Sequence, residues 1–208
     1  MRPNDKGIRA RATARQRREQ ILDTALDLVV AHGYPGCTMQ SIARALGVTR
    51  PALYEYYRDH EQLLADLVAR EHQKAVELVV RGVAAAAAAD DPERLLSAFL
   101  REYLESVVRS PRTWRLILTP SLGAPAQVRD DIDAVRRMVL EQVRFAVRSL
   151  PAPFGGPDTD SEMLALSLIA GAEAAAHLVL DDPARFPPER LTATVSSLAA
   201  RVTRSWSR

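Results

Sequence analysis

The stretch Thr38–Tyr57, TMQSIARALGVTRPALYEYY, leaves this chain few ways to fold. Ile42, Ala43 and Leu46 recur at helical spacing and mark one apolar stripe. Gly47 follows at once, where a helix end and a left-handed turn call for glycine. Val48 is apolar and suits the joint, and Thr49 stands where its hydroxyl can cap the next helix. Pro51 falls in that helix's first turn, where no backbone N–H is needed. Leu53 faces back toward the first helix, and Ala43 is small where the two would cross. Arg50, Ala52, Tyr54, Glu55 and Tyr56 remain outward. This is the layout of a helix-turn-helix, whose second helix enters the DNA major groove. An ordinary helical hairpin accounts for the stripe, but not for stripe, glycine, cap and proline together in one short window.

The charge distribution points the same way. The chain of 208 residues carries 28 Lys and Arg against 26 Asp and Glu, a formal charge of +2. Residues 1–60 hold ten bases and six acids, a net of +4, and the remainder nets −2. Positive charge is therefore concentrated around the helix-turn-helix, as DNA binding requires. The acid-leaning remainder argues against the main alternative, a nonspecific nucleoid-type DNA binder.

A helical enzyme is the weaker alternative. His32, His60, His72 and His177 are scattered without metal-ligand spacing. There is no Gly-rich phosphate loop and no G-x-S-x-G. No cofactor, metal or catalytic residue is expected. Cys37 is the one cysteine, so no internal disulfide forms, and a cytoplasmic location fits. No apolar run follows the charged N-terminus, so no signal peptide is read. The run Val83–Ala89 is read as the longest weakly polar one and is too short to span a bilayer, so no membrane partner is expected.

Read in order, the chain is all helix and turn. Residues 1–13 are basic and without periodicity, and are expected to be an irregular arm. Arg11, Arg15, Arg17 and Arg18 are its arginines nearest the first helix and candidates for phosphate or minor-groove contact. That helix spans 14–31 and ends at His32-Gly33-Tyr34-Pro35-Gly36. Thr38 is a plausible N-cap of the next, where free N–H groups suit a phosphate. Asp59 and Gln62 form a capping box for a long helix to Ala88. Further helices are expected from Asp90-Asp91-Pro92-Glu93 to Arg109, over 113–118 and over 127–149, with PAPFGGPD at 151–158 a loop. Thr159-x-x-Glu162 is a second capping box, opening a helix to Leu180, and Pro187-Pro188-Glu189 opens the last, to Trp206. The helix from 159 is apolar on most sides, and in a short chain that suggests burial against a second copy. A central core helix within one subunit is the alternative.

The words ILDTALDL (21–28), HGY (32–34), TMQSIARALGV (38–48), Pro-x-L-Y (51–54), YY (56–57) and EQLL (61–64) resemble the tetracycline-repressor (TetR) family of bacterial transcription regulators. The resemblance in sequence covers residues 15–65; beyond them helix number, order and length match. It implies an all-α fold of nine helices: an N-terminal three-helix DNA-binding domain within 1–60, and a six-helix effector-binding and dimerisation domain over 61–208. It implies a homodimer built on the last two helices, a double-stranded operator and a small-molecule effector. Carried over by position, Arg50, Pro51, Ala52, Tyr54 and Tyr56 touch DNA, with Thr49 at the head of their helix and Thr38 at a phosphate. His60 replaces the family's usual lysine, which makes this backbone contact weaker and pH-dependent.

The expected function is thus a ligand-released, sequence-specific regulator, most simply a repressor on a palindromic operator. Phe99, Tyr103, Trp114, Met138, Phe145 and His177 are candidates to line an apolar or amphipathic ligand's pocket, though each residue type is as common in plain core. Ile169, Ala172, Glu173, Ala176, Leu198 and Val202 are candidates for the dimer interface.

Overall fold

The computed structural model describes residues 3–86, 92–119, 121–149 and 160–206. Among these, nine helices follow one another and no strand occurs. They are α1 (Pro3–Gly36), α2 (Met39–Leu46), α3 (Arg50–Tyr54), α4 (His60–Ala86), α5 (Pro92–Arg109), α6 (Pro111–Leu118), α7 (Ala126–Ser149), α8 (Ser161–Asp181) and α9 (Pro188–Trp206). The expected helix start at Asp90-Asp91, the loop 151–158 and Thr159 lie outside the described residues.

α1 differs from expectation at its start. Residues 3–13 continue the helix instead of forming an irregular arm. Ala10, Ala12 and Ala14 among arginines and Gln16 are residues of high helix propensity, and that local preference prevails. At its other end Gly33 breaks the helix at φ 68°, and Tyr34 folds in at 2% exposure.

Two compact units result: Met1–His72 with Thr119–Ile132, and Gln73–Leu118 with Asp133–Arg208. In the first, α1 packs on α2 and α2 on α3. Ile21, Leu22, Ala25, Leu26, Val29, Ile42, Ala43, Leu53, Leu63, Leu64 and Leu67 are all buried there. The turn after α6 belongs to the same unit. Its Gly123 has φ 80°, and a Cβ there would meet Pro35 Cγ at 2.5 Å. Ala124, Val128 and Ile132 beyond it are buried.

In the second unit α5 packs on α9, α8 and α6. Tyr103 and Trp114 meet edge to face, with ring centroids 4.9 Å apart, in a core with Leu104, Val107, Val179 and Leu180. Arg115 Nη2 donates to the Leu180 carbonyl at 2.6 Å and fixes the end of α8.

α8 corrects two expectations. Its cap is Asp160, whose carboxylate accepts from Met163 N–H at 3.0 Å. It, and not Val83–Ala89, is the longest apolar run. By length and composition α8 is apolar enough to cross a membrane, with mean hydropathy 1.8, yet only 22% of that window is buried. Met163, Leu166 and Leu178 stay exposed.

Ile42 is fully buried between α1 and α3, so its truncation leaves a cavity few side chains can fill. Ile42→Ala is expected to lower stability by about 2–5 kcal/mol, as measured by urea unfolding.

Candidate nucleic-acid interface

The turn between α2 and α3 sets the interface. Gly47 adopts φ 66°, ψ 30°, the left-handed conformation that side chains with a Cβ resist. Its N–H reaches Arg44 carbonyl at 3.2 Å, and Val48 N–H returns to Ala43 carbonyl at 3.0 Å. This double closure ends α2 and turns the chain directly into α3.

At the head of α2, Thr38 forms a full capping box. Its Oγ1 accepts from Ser41 N–H at 3.1 Å, and Thr38 N–H donates to Ser41 Oγ at 2.8 Å. Ser41 Oγ in turn donates to Gly36 carbonyl at 2.9 Å. Ser41 was not singled out from the sequence, although a hydroxyl three residues after Thr38 was the available signal.

Thr49 does not cap α3 with its side chain. Pro51 has no N–H to offer, and Ala52 N–H is taken by Thr49's own carbonyl at 3.1 Å. The two donors a cap would serve are thus missing or occupied. α3 is also short. Tyr56 lies past its end, where Tyr56 and Tyr57 N–H both return to Leu53 carbonyl. Tyr56 is therefore presented by a turn and not by the helix.

Thr38, Met39, Gln40, Arg50, Tyr54 and His60 line one open groove of about 330 Å³. The structure thus brings together Thr38, Arg50, Tyr54 and His60 from three helices. Arg50 Nη2 donates to Tyr54 Oη at 2.9 Å, and its guanidinium lies 5.7 Å from that ring's centre. Both residues are exposed, as are Thr49, Pro51 and Arg15. Ala52 and Tyr56 are half-buried; the Arg11 side chain lies outside the described residues.

His60 is tied down. Its Nε2 bonds the Cys37 carbonyl. A carbonyl only accepts, so Nε2 carries the proton, and Nδ1 is an acceptor while the ring is neutral. Beside it, Asp59 caps α4 by accepting from Gln62 N–H at 2.8 Å, while Gln62 Oε1 accepts from Arg58 N–H, one residue earlier than a standard capping box. The backbone N–H of Gln62, then Arg58, hold the Asp59 carboxyl below its ordinary range.

Behind the groove, burial pushes the Cys37 thiol up to about 12 from 9.0. Burial, with Asp66 adding repulsion, pushes the Tyr57 phenol up to about 12 from 10.0. Arg18 lies 6.0 Å over the Tyr57 ring.

The remaining candidates sit in the second unit. Tyr103 and Trp114 are core, and Phe99 is half-buried. Trp114 Nε1 is buried with no partner among the described residues. Phe145 is 72% and Met138 49% exposed, so α7 turns both to the surface of the described chain. His177 is exposed as well. Of the residues expected at a dimer interface, Leu198 and Glu173 are exposed and Ile169 and Ala172 half-buried. Ala176 instead faces the chain's own core, because its side of α8 meets Trp114 and Leu104. Val202's side chain lies outside the described residues.

Comparison with known proteins gives consistent likenesses. The profile described as "Bacterial regulatory proteins, tetR family" matches residues 21–67. That described as "Tetracyclin repressor-like, C-terminal domain" matches residues 92–202. An uncharacterised HTH-type transcriptional regulator of Mycobacterium tuberculosis is 26% identical over 169 residues, 81% of this chain and 69% of that protein. A TetR-like transcriptional regulator from Rhodococcus sp. RHA1 has a similar structure, with TM-score 0.69 and 24% identity over 89% of this chain and 94% of the other. AibR in complex with isovaleryl coenzyme A and operator DNA superposes with TM-score 0.68 and 23% identity, over 88% of this chain and 97% of that one.

Cys37 and Tyr57 give a signed pH expectation. Both ionise more readily unfolded than folded, so their contribution is complete below about pH 9 and lost as pH rises toward 12. The thermal midpoint should fall across that window, and Cys37 should resist a thiol reagent at pH 8 until the protein unfolds.

Proposed function

We infer that this chain, which belongs to the TetR family of bacterial regulatory proteins, is a repressor that a small ligand releases from a palindromic operator. Its place among helix-turn-helix transcriptional regulators is the premise. The observation that carries the rest is the grouping of Thr38, Arg50, Tyr54 and His60 around one groove on the first unit.

In this reading Arg50 leaves Tyr54 and reads a base edge, since arginine can make two bonds to guanine. Tyr54 and Tyr56 hydroxyls, and the N–H groups at the start of α2 beside Thr38, take phosphates. Thr49, Pro51 and Ala52 lie along the same surface, and Arg11 and Arg15 reach DNA from α1. His60, with Nε2 held by Cys37, offers a phosphate a donor only once Nδ1 is protonated. The DNA-contacting residues lie within 1–60, in the unit formed by Met1–His72 with Thr119–Ile132, and the effector and dimerisation functions fall to the other unit.

The second copy is argued from α8 and α9. Met163, Leu166 and Leu178 are exposed on α8, a helix apolar enough by length and composition to cross a membrane, and Leu198 is exposed on the amphipathic α9. Two chains covering these faces present two recognition helices, which on one face of DNA stand about 34–36 Å apart. A ligand binding better to a dimer of another separation weakens DNA binding, and DNA weakens ligand binding equally. Tyr103 and Trp114, with an indole N–H in search of an acceptor, suit the apolar part of a small apolar or amphipathic ligand; AibR binds isovaleryl coenzyme A, a short apolar acyl group on a charged carrier, which favours the amphipathic class. Location in the cytoplasm follows from DNA as partner.

Gel shifts on the region upstream of the gene and on random DNA test the reading. Equal affinity for both points to nonspecific binding and overturns it. Arg50→Ala should relax base preference at one position by about 1–3 kcal/mol, whereas Tyr56→Phe should weaken all sequences alike. Leu166→Glu with Leu198→Glu should halve the mass measured by light scattering and abolish operator binding. An unchanged mass would remove α8 and α9 from the interface.

A further inference from the structure

α4 is tied to the rest of the DNA-binding unit at two places. The first is its start, where His60 bonds the Cys37 carbonyl. The second is Arg70, about 15 Å further along at 1.5 Å per residue. Arg70 Nη1 donates to Glu19 at 2.9 Å and lies 3.0 Å from Asp23, both on α1. Its Nε donates to Glu71 at 2.8 Å. The Arg70 side chain is 13% exposed and that of Glu71 0%.

One guanidinium therefore answers three carboxylates. Glu19 and Asp23 are four residues apart and share a face of α1. Burial works against the charge on Arg70, yet the bond to Glu19 and the carboxylates of Glu71 and Asp23 outweigh it and hold its proton more firmly than usual. Exposed ion pairs contribute little, but this one contains a fully buried carboxylate. Drawing α4 away from α1 would strip Arg70 of two of its three carboxylate partners. The cluster lies in the same compact unit as the helix-turn-helix. The compact unit ends just beyond, between His72 and Gln73, inside α4.

We propose that Arg70 is a positioning residue for operator binding: it fastens α4 to α1, so that residues 60–72 turn with the recognition helix as one piece. Ligand-driven change in recognition-helix separation then begins beyond His72. This rests on the two-headed operator reading above.

The test uses the full-length protein, an operator that the wild-type protein selects from random duplexes, and the same operator with two base pairs inserted between half-sites. Arg70→Met and the milder Glu19→Gln/Asp23→Asn are compared with wild type. The wild type should discriminate strongly between the two spacings. Both variants should weaken binding at the native spacing and lose discrimination by about tenfold, the size of an ordinary coupling between sites. Amide exchange should quicken across residues 60–72 in both. A variant that melts lower yet keeps the full spacing discrimination overturns the proposal, because Arg70 is then structural only. If the wild type itself ignores spacing, the two-headed reading fails. Amide exchange then decides on the clasp: faster exchange in both variants upholds it, and unchanged exchange overturns it.

Discussion

The hydrogen bond from Val48 N–H to the Ala43 carbonyl, across a left-handed Gly47, is the constraint on which the interface depends. It fixes where α2 stops and the direction in which α3 starts. The five residues of α3 are too few to hold a helix by themselves. They are held by this turn, by Leu53 buried against α2, and by Tyr56 and Tyr57 N–H closing on the Leu53 carbonyl. With that frame fixed, Arg50 and Tyr54 are held together on an exposed surface.

Charge is used in two different ways in the first unit. Arg15 on α1 and Arg50 at the groove stay exposed. Behind it, Arg70 is committed inward to Glu19, Asp23 and Glu71. The difference is burial: the outer charges keep their hydration and act at a distance, whereas the inner ones act through geometry.

Much of this was legible in the sequence because it depends on local chemistry. Gly47, the Thr38 cap and the stripe of Ile42 and Ala43 each need only a few neighbours, and the structure places them as read. Thr49 was misread because a cap needs a free donor, and Pro51 removes one while the backbone takes the other. Glu71 was passed over as a charged residue, although it continues the register of Leu64, Leu67 and Val68 toward Ala75 and so had to point inward. It pairs with the adjacent Arg70, whose other carboxylates, Glu19 and Asp23, lie some 50 positions away on α1, a pairing that periodicity cannot supply. Phe145 and Met138 show the converse. An apolar residue at helical spacing marks a face, but not whether the chain's own core covers it.

The close approach of Gly123 to Pro35 has a consequence for how the molecule can be divided. The turn after α6 and the first residues of α7, with Ala124, Val128 and Ile132 buried, complete the compact unit that holds the helix-turn-helix. The head is therefore built from two stretches of chain that synthesis delivers far apart. A fragment cut after α4's first turns would carry every residue proposed to contact DNA and still be an unfinished fold. Exchange of heads between related regulators must carry the 119–132 segment along, or else find a new lid for Pro35.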